Sequence, residues 1–470
     1  MKIQPATKEA FQLLLEGSLA LAQVEANGIR IDTEYLNKAT QQIETEIKEK
    51  TEALQKDKTF RIWKREFGDK TKIGSGDQLA HVIFSKLKYK CPGKTATGKY
   101  RSDQSAFEDV DLPFVKDWFK LDKLKNANGT FLNGIRREVV DGYLHPSFNL
   151  NTVETFRGSS SSPNFQNIPI RNPEIGKLIR QCFIPRKGRV LVEIDFGALE
   201  FRISAAFWAD PKMIEYASDK TKDIHRDQAA LCYKTSNDQV SKQMRYAGKN
   251  QFVFPEIYGS YYVQMARKLW ESTSKENFKL KDDKTLVRDW LANNGIKSLG
   301  KCNPRQRTRP GTFEHHIKEV EDDFNRRFNV FASSKEKWWR DYQKRGWFRM
   351  LTGFIVSGVY SRNFLMNCPI QGPGFHCLLW SLIELQKWLN KYKFDTLIVG
   401  EIHDNILSDV PICELQDFLY AAERIMTKEI RKAWKWIVVP LEVEVDVTPV
   451  DGNWHQKAQW IENGSEWVPK

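Results

Sequence analysis

Cysteine is scarce and scattered in this chain. Its seven positions (91, 182, 232, 302, 368, 377 and 413) contain no CxxC pair, which argues against a disulfide framework or a zinc site of ordinary spacing. No apolar run is long enough to span a bilayer. The opening residues, MKIQPATKEAFQLLLEG, lack the apolar core of a signal peptide and the Arg/Ser-rich, acid-poor pattern of a transit peptide. There is no internal repeat and no low-complexity tract. These absences exclude a secreted disulfide scaffold, a helical membrane protein and a repeat array. They point to a cytoplasmic protein in a reducing compartment.

What is present reads as a soluble globular protein. The chain has 470 residues, 41% hydrophobic and 28% charged, enough for about three domains and a sizeable core. Its formal net charge of +13 favours a polyanionic partner, nucleic acid first. Charge alone does not discriminate, since many basic proteins bind no nucleic acid.

The organising stretch is VLVEIDFGALEFR, Val190 to Arg202. Val190, Leu191, Val192 and Ile194 predict a short buried strand. Asp195 ends it, and Phe196-Gly197 turns the chain into a helix starting near Ala198. A carboxylate at the end of a core strand lies at a cleft edge, where a cation can reach it. Glu200 would project from the first helical turn above the same cleft. The bland alternative is that Asp195 only caps the helix.

Upstream, the spacing of Phe11, Leu14, Leu15, Leu19 and Leu21 predicts a helix over 8–24, with these as its apolar face. Residues 34–66 predict an exposed, highly charged helix pair. The basic segment Lys70–Arg101 flanks a short amphipathic helix with Gly and Ser, suited to duplex-backbone contact or simply a basic loop. Tyr143, His145, Phe148, Leu150 and Val153 alternate like strands, and SSSSPNFQNIP (159–169) offers small polar groups for sugars and base edges. Residues 208–345 are helical, with an inserted lobe at Glu271–Pro310 ending in Arg305, Arg307 and Arg309. A helix over 372–392 precedes a hairpin, LIVGEI and ILSDV around His403-Asp404-Asn405. The strand LEVEVDV (441–447) closes the set.

Asp195 and Asp404 each stand beside an apolar strand. On neighbouring strands they would form one site for two divalent cations about 3.5–4 Å apart, suited to in-line displacement at phosphorus. Magnesium fits, being a hard ion that prefers carboxylate, water and phosphate oxygens; manganese is the substitute. Phosphoryl transfer further needs positive charge on the phosphates. Arg245 and Lys249 present it at i, i+4 in KQMRYAGKNQF, and His225 adds a donor. Singly, each reads as an ordinary surface-helix residue; together they describe nucleotidyl transfer.

The chain resembles the polymerase portion of family A DNA polymerases, the bacterial DNA polymerase I type. The blocks that carry the resemblance are KIGSGDQL (72–79), SSPNFQNIPIR (161–171), DFGALEFR (195–202), KDIH (222–225), RYAGKNQFVFPEIYG (245–259), NCPIQG (367–372) and HDN (403–405). They run in the family's order over nearly the whole chain. The resemblance implies an α+β right-hand fold with thumb (1–130), palm (131–210 and 346–470) around an antiparallel sheet, and helical fingers (211–345). It implies metal ligation by Asp195 and Asp404. Arg245, Lys249 and His225 would grip the triphosphate, Lys249 giving a proton to pyrophosphate. Tyr258 would close the nucleotide pocket and Glu200 would exclude a ribose 2′-OH. Arg157, Asn164, Gln166, Asn367 and Gln371 would meet the minor groove, with His403 beside the primer end. Its partners would be primer–template DNA, dNTPs and a separate exonuclease or processivity protein, and the enzyme itself a monomer.

Three departures from the family pattern stand out. Asn405 replaces the usual Glu after His-Asp. Lys249 to Tyr258 holds one residue more than usual and includes Pro255, which predicts a π-bulge or kink before Tyr258. Counting back from Tyr258 puts Phe254 at the sugar 3′ side; counting forward from Lys249 puts Val253 there. The 271–310 stretch is longer than usual. Asp32-Thr33-Glu34 spells the DxE of proofreading exonucleases, yet it falls within GIRIDTEYL, which matches the entry to the thumb, so no proofreading is expected. The layout and the FVFPEIYG variant resemble phage-encoded polymerases, which would place the protein in a bacterial cytoplasm. The rival readings are a catalytically weak primer–template-binding relative, made conceivable by Asn405, and an RNA-synthesising enzyme, which Glu200 disfavours.

Overall fold

The computed structural model describes residues 2–95, 97–169, 173–275, 277–464 and 466–470. Ile170 and Arg171, the end of the SSPNFQNIPIR block, lie outside them. Strand β1 (Lys2–Pro5) leads into helix α1 (Lys8–Asn27), which Thr7 caps by accepting the Ala10 N–H at 3.1 Å. The buried face of α1 is Ala10, Leu13, Gly17, Ala20, Leu21 and Val24. This corrects the expected apolar face, for Phe11, Leu15 and Leu19 are 61%, 54% and 67% exposed. Small residues win the core side because the neighbouring helix comes close: a Cβ on Gly17 would lie 2.8 Å from Leu379.

Helices α2 (Thr33–Lys56) and α3 (Lys58–Phe67) form the charged pair, broken at Asp57, which caps α3 by accepting from Thr59 at 2.6 Å. Leu36 and Ile43 of α2 join the main core. Phe60 and Trp63 of α3 join a second one with Leu79, Val82, Phe84, Phe107 and, from α4 (Pro113–Asn126), Phe114 and Trp118. In KIGSGDQL, Gln78 ties this smaller core together, accepting from Trp63 Nε1 and the Lys72 N–H, each at 2.9 Å. The alternating 143–157 stretch supplies only the strands Tyr143–Leu144 and Ser147–Asn149, with Leu144 and Phe148 inward. Pro146 interrupts the run between them.

Strand β2 (Arg189–Phe196) is the expected buried strand. It is followed by α5 (Leu199–Trp208), α6 (Ile224–Cys232), α7 (Lys242–Ala247), α8 (Tyr262–Lys275), α9 (Phe313–Arg327) and α10 (Asn329–Arg345). Within 271–310, Phe278, Leu280, Val287, Leu291 and Ile296 pack into the main core, so this stretch is built onto the helices. Strands β3 (Trp347–Arg349) and β4 (Phe354–Ser357) pair with each other, and β4 also pairs with β1. Helix α11 (Arg362–Tyr392) starts ten residues earlier than expected and runs through Pro369 and Pro373. Burial of Leu365, Met366, Cys368 and Ile370 holds these turns against the penalty of proline.

Strands β5 (Leu397–Ile402), β6 (Asn405–Pro411), β7 (Val443–Val447), β8 (Ala458–Asn463) and β9 (Glu466–Pro469) complete the main sheet. Its order is β9-β8-β7-β2-β6-β5, antiparallel at every pairing. Helix α11 and α1 cover it, and β2 runs through its middle. The β8–β9 hairpin is an addition that the sequence reading did not foresee.

One glycine fixes how closely this sheet packs. A Cβ on Gly400 of β5 would lie 2.5 Å from the Phe165 ring, which is itself stacked on Trp454 at 5.6 Å. Gly400→Ala should destabilise the fold by about 1–3 kcal/mol, the usual range for overpacking. A lower urea midpoint at unchanged m-value would show it.

Candidate active site

The middle of the main sheet brings Asp195 and Asp404 together. Asp195 is the penultimate residue of β2 and pairs across the ladder with Asn405, the first residue of β6. Asp404 lies in the two-residue turn between β5 and β6, where His403 takes φ +64°. The Phe196 N–H donates to the Asp404 carbonyl at 3.2 Å, locking turn to strand. Asp195 is no helix cap: α5 begins after Ala198, at φ +50°, without a side-chain cap.

Burial and the neighbouring Asp404 raise Asp195 well above the usual carboxylate range. Burial, and then Glu200, push Asp404 up to about 6, against the pull of Lys249 and Arg157. Asp195 Oδ1 is buried with no hydrogen-bond partner among the described residues. Two adjoining carboxylates, one with an orphaned oxygen, are a donor set that fits a hard divalent cation. They open onto a cleft of about 1210 Å³ whose walls include Gln166, Arg180, Glu193, His403 and Asn405.

The cationic side comes from α6 and α7. Asp223 caps α6 through the N–H groups of His225 and Arg226, at 3.0 and 3.2 Å, and its other oxygen takes Arg245 Nε at 2.6 Å. The sequence reading missed this role of Asp223, although an Asp just before an apolar helical run signals a cap. After α7 the backbone widens into a π-helix, Gly248–Val253, and resumes as α-helix at Phe254–Ile257. The expected π-bulge is thus present, just ahead of Pro255. Lys249 Nζ lies 5.3 Å over the Phe254 ring, which meets His225 at 5.6 Å and Tyr258 at 6.0 Å. Val253 is fully buried in the core, so the geometry favours Phe254 over Val253 as the residue facing this group.

His225 is 2% exposed, and neither ring nitrogen has a partner among the described residues. Burial, with Lys249 and Arg245 nearby, pushes it down to about 3, so it is a neutral imidazole. Burial and the Glu200 carboxylate raise the Tyr258 phenol, which places Glu200 beside both Tyr258 and Asp404.

The predicted DNA-contacting residues divide. Partial burial and Arg157 push His403 down to about 4, setting Arg157 and His403 together at the turn. Gln166 is turned inward, its Nε2 donating to Glu401 Oε1 at 2.6 Å. Glu401, unremarked in the sequence reading, is buried and pushed up to about 7, mainly by desolvation. Asn164 Oδ1 accepts from Ser160 at 3.2 Å. Asn367 and Gln371 lie on α11, with Asn367 Oδ1 buried and unpartnered among the described residues. The DxE residues are structural: Asp32 caps α2 by accepting the Tyr35 N–H at 2.9 Å, and the exposed Glu34 pairs with Lys38 at 2.6 Å.

Asp404 titrates higher in the folded chain than its ordinary value of 3.8, so the native state holds this proton more tightly than the unfolded one. Its ionisation therefore weakens the cation-free fold as pH rises toward 6, and the loss is complete above that. Asp404→Asn should melt higher than wild type at pH 8 without divalent cation, with the gap closing by pH 4. Thermal melts across this range check it, and a constant gap would contradict the assignment.

Residues 34–282 match the model of DNA polymerase family A. DNA polymerase I of Lactococcus lactis subsp. cremoris is 27% identical over 433 residues, covering 90% of this chain and 43% of the relative. The thermostable DNA polymerase I of Thermus thermophilus is 28% identical over 444 residues, 91% of this chain and 46% of the relative. The chain thus spans less than half the length of these relatives. The polymerase domain of M. smegmatis Pol1, solved with DNA primer-template and dNTP, shares the fold at a TM-score of 0.74 and 23% identity, over 94% of this chain and 70% of that one. The chain belongs to DNA polymerase family A.

Proposed function

We propose that this chain is a DNA-directed DNA polymerase that adds dNMP to a primer 3′-OH. The observation that carries the reading is the juxtaposition of Asp195 with Asp404, the residue next to its ladder partner Asn405, within electrostatic reach of Lys249 in a member of family A. In the reaction the primer 3′ oxygen bonds to the α-phosphorus, the bond to pyrophosphate breaks, and the hydroxyl proton leaves to solvent. Asp195 and Asp404 would hold two Mg²⁺ ions, or Mn²⁺ in their place, which when bound stabilise the attacking and leaving oxygens.

The chain's own residues divide the remaining work. Lys249 offsets charge at the triphosphate and hands a proton to the departing pyrophosphate. Arg245 commits one N–H to Asp223 and offers the rest of its fork to phosphate oxygens. Neutral His225 can donate one N–H without adding charge. Phe254 and Tyr258 form the floor on which base and sugar rest, and Glu200, beside Tyr258, crowds a ribose 2′ position. Arg157 and His403 sit where a primer terminus would reach the carboxylates, with Asn164, Gln166, Asn367 and Gln371 along the duplex side.

Primer extension on a labelled primer–template with Mg²⁺ and dNTPs tests the reading. Wild type should extend in template order, and Asp404→Ala should lose at least about a thousandfold in rate, as when charge stabilisation is removed from a transition state. A wild type that binds duplex but never extends it would make Asn405 the mark of a binding protein instead. The pocket assignments carry their own check. Glu200→Ala should gain NTP incorporation relative to dNTP, and wild type should disfavour ddNTP; equal use of ddNTP and dNTP would remove Phe254 from the sugar 3′ side.

A further inference from the structure

Asn405 departs from the family pattern in being uncharged, and its surroundings suggest what replaces the charge. The side chain is 7% exposed, and its Nδ2 donates to Glu193 Oε1 at 2.8 Å. Glu193 lies two residues before Asp195 on β2, so both point to the same face of the sheet. Asn405 stands opposite Asp195 in the ladder, which puts its Cβ on that face too.

Glu193 is held from every side. Trp454 Nε1 donates to its Oε2 at 2.8 Å, and Lys457 Nζ lies 2.8 Å from its Oε1 and 2.8 Å from Asp446. Arg180 reaches to 4.0 Å while its guanidinium stacks 4.1 Å over the Trp454 ring. With Trp454 and Lys457 donating to its two oxygens, Glu193 meets the Asn405 amide as an acceptor. It therefore takes the NH₂ end of the Asn405 amide and forces the carbonyl oxygen to the other side. That oxygen, Asn405 Oδ1, is buried and has no hydrogen-bond partner among the described residues, and neither has Asp195 Oδ1 across the ladder. These two buried acceptor oxygens stand on ladder partners, with Asp404 next in the chain, and an electropositive group between them would satisfy both.

From this we infer that Asn405 Oδ1 is a neutral ligand of the divalent cation, directly or through a water, and that Glu193 is the positioning residue that aims it. The inference rests on the reading that Asp195 and Asp404 hold the cation. It gives the site an oxygen at position 405 without adding a third negative charge to an already repulsive pair.

Mn²⁺ binding followed by electron paramagnetic resonance tests it, on the full chain with a dideoxy-terminated primer–template and the next dNTP, so that no turnover occurs. Asn405→Leu removes the oxygen at similar volume, and Glu193→Gln removes the constraint that orients it. Each should weaken Mn²⁺ binding about tenfold or more, the range seen when a metal ligand loses its orienting partner. The double variant should be no weaker than Asn405→Leu alone, because Glu193 acts only through that amide. Wild-type affinity in either single variant, or additive losses in the double, would overturn the inference. Should Glu193→Gln fail to fold once Lys457 loses its partner, Asn405→Leu alone decides, since it leaves Glu193 with Trp454 and Lys457. Asp404→Ala is the control for the parent reading. If it binds Mn²⁺ as wild type does, the cation site is wrong; if it loses binding while Asn405→Leu does not, only the role of Asn405 fails.

Discussion

Two carboxylates held close together in a buried cleft repel each other, and the rest of the molecule is arranged to keep them there. The antiparallel register of β2 between β6 and β7 does the holding. It couples residues from distant parts of the chain through backbone hydrogen bonds, which side-chain repulsion cannot easily break. The buried face of α11, the small-residue face of α1 and the stacked Phe165 and Trp454 press on this sheet from outside. Rigidity is thereby concentrated where charge is least comfortable.

Other buried charges in the protein are treated differently. Asp409 is paired with Arg186 at 2.8 Å, Glu256 with Lys335 at 2.6 Å and Glu193 with Lys457 at 2.8 Å. Arg202, inside α5, reaches Glu442 at 2.6 Å. Each of these carboxylates has a cation in hydrogen-bond reach, which is how proteins ordinarily tolerate buried charge. Asp195 and Asp404 have Lys249 only at longer range and Glu200 close by. Two buried acids side by side, with no cation in hydrogen-bond reach among the described residues, mark that place as a candidate functional site.

The sequence disclosed the parts whose chemistry is local. VLVEIDF reads as a strand because its apolar residues are contiguous, and the HDN turn because two strands frame it. The π-bulge follows from one surplus residue and a proline in a helix. What stayed hidden depends on partners far along the chain. Phe11, Leu15 and Leu19 have helical spacing, yet they face outward while Leu13, Gly17, Leu21 and Val24 turn inward, with Gly17 where Leu379 comes close. Helix α11 begins before its prolines because burial, invisible locally, outweighs their penalty. Glu401 looks like any polar strand residue until Gln166 arrives from a distant segment, and Glu193 looks like an alternation error until Asn405, Trp454 and Lys457 converge on it.

The widened turn at Gly248–Val253 has counterparts at His81–Lys86, Ala127–Leu132 and Arg424–Glu429. Each lets a helix carry a residue beyond its α-helical count without opening a loop. Such an insertion is stored as rotation, because one residue turns everything beyond it by about 100° about the helix axis. Lys249 lies in one of these turns and Tyr258 just beyond it, so the angle between the proposed phosphate-binding group and the proposed pocket ring is set by helical phase. Two polymerases with the same residues but different numbers of residues between them would present differently shaped pockets, and a pocket can be retuned by changing a count instead of a side chain.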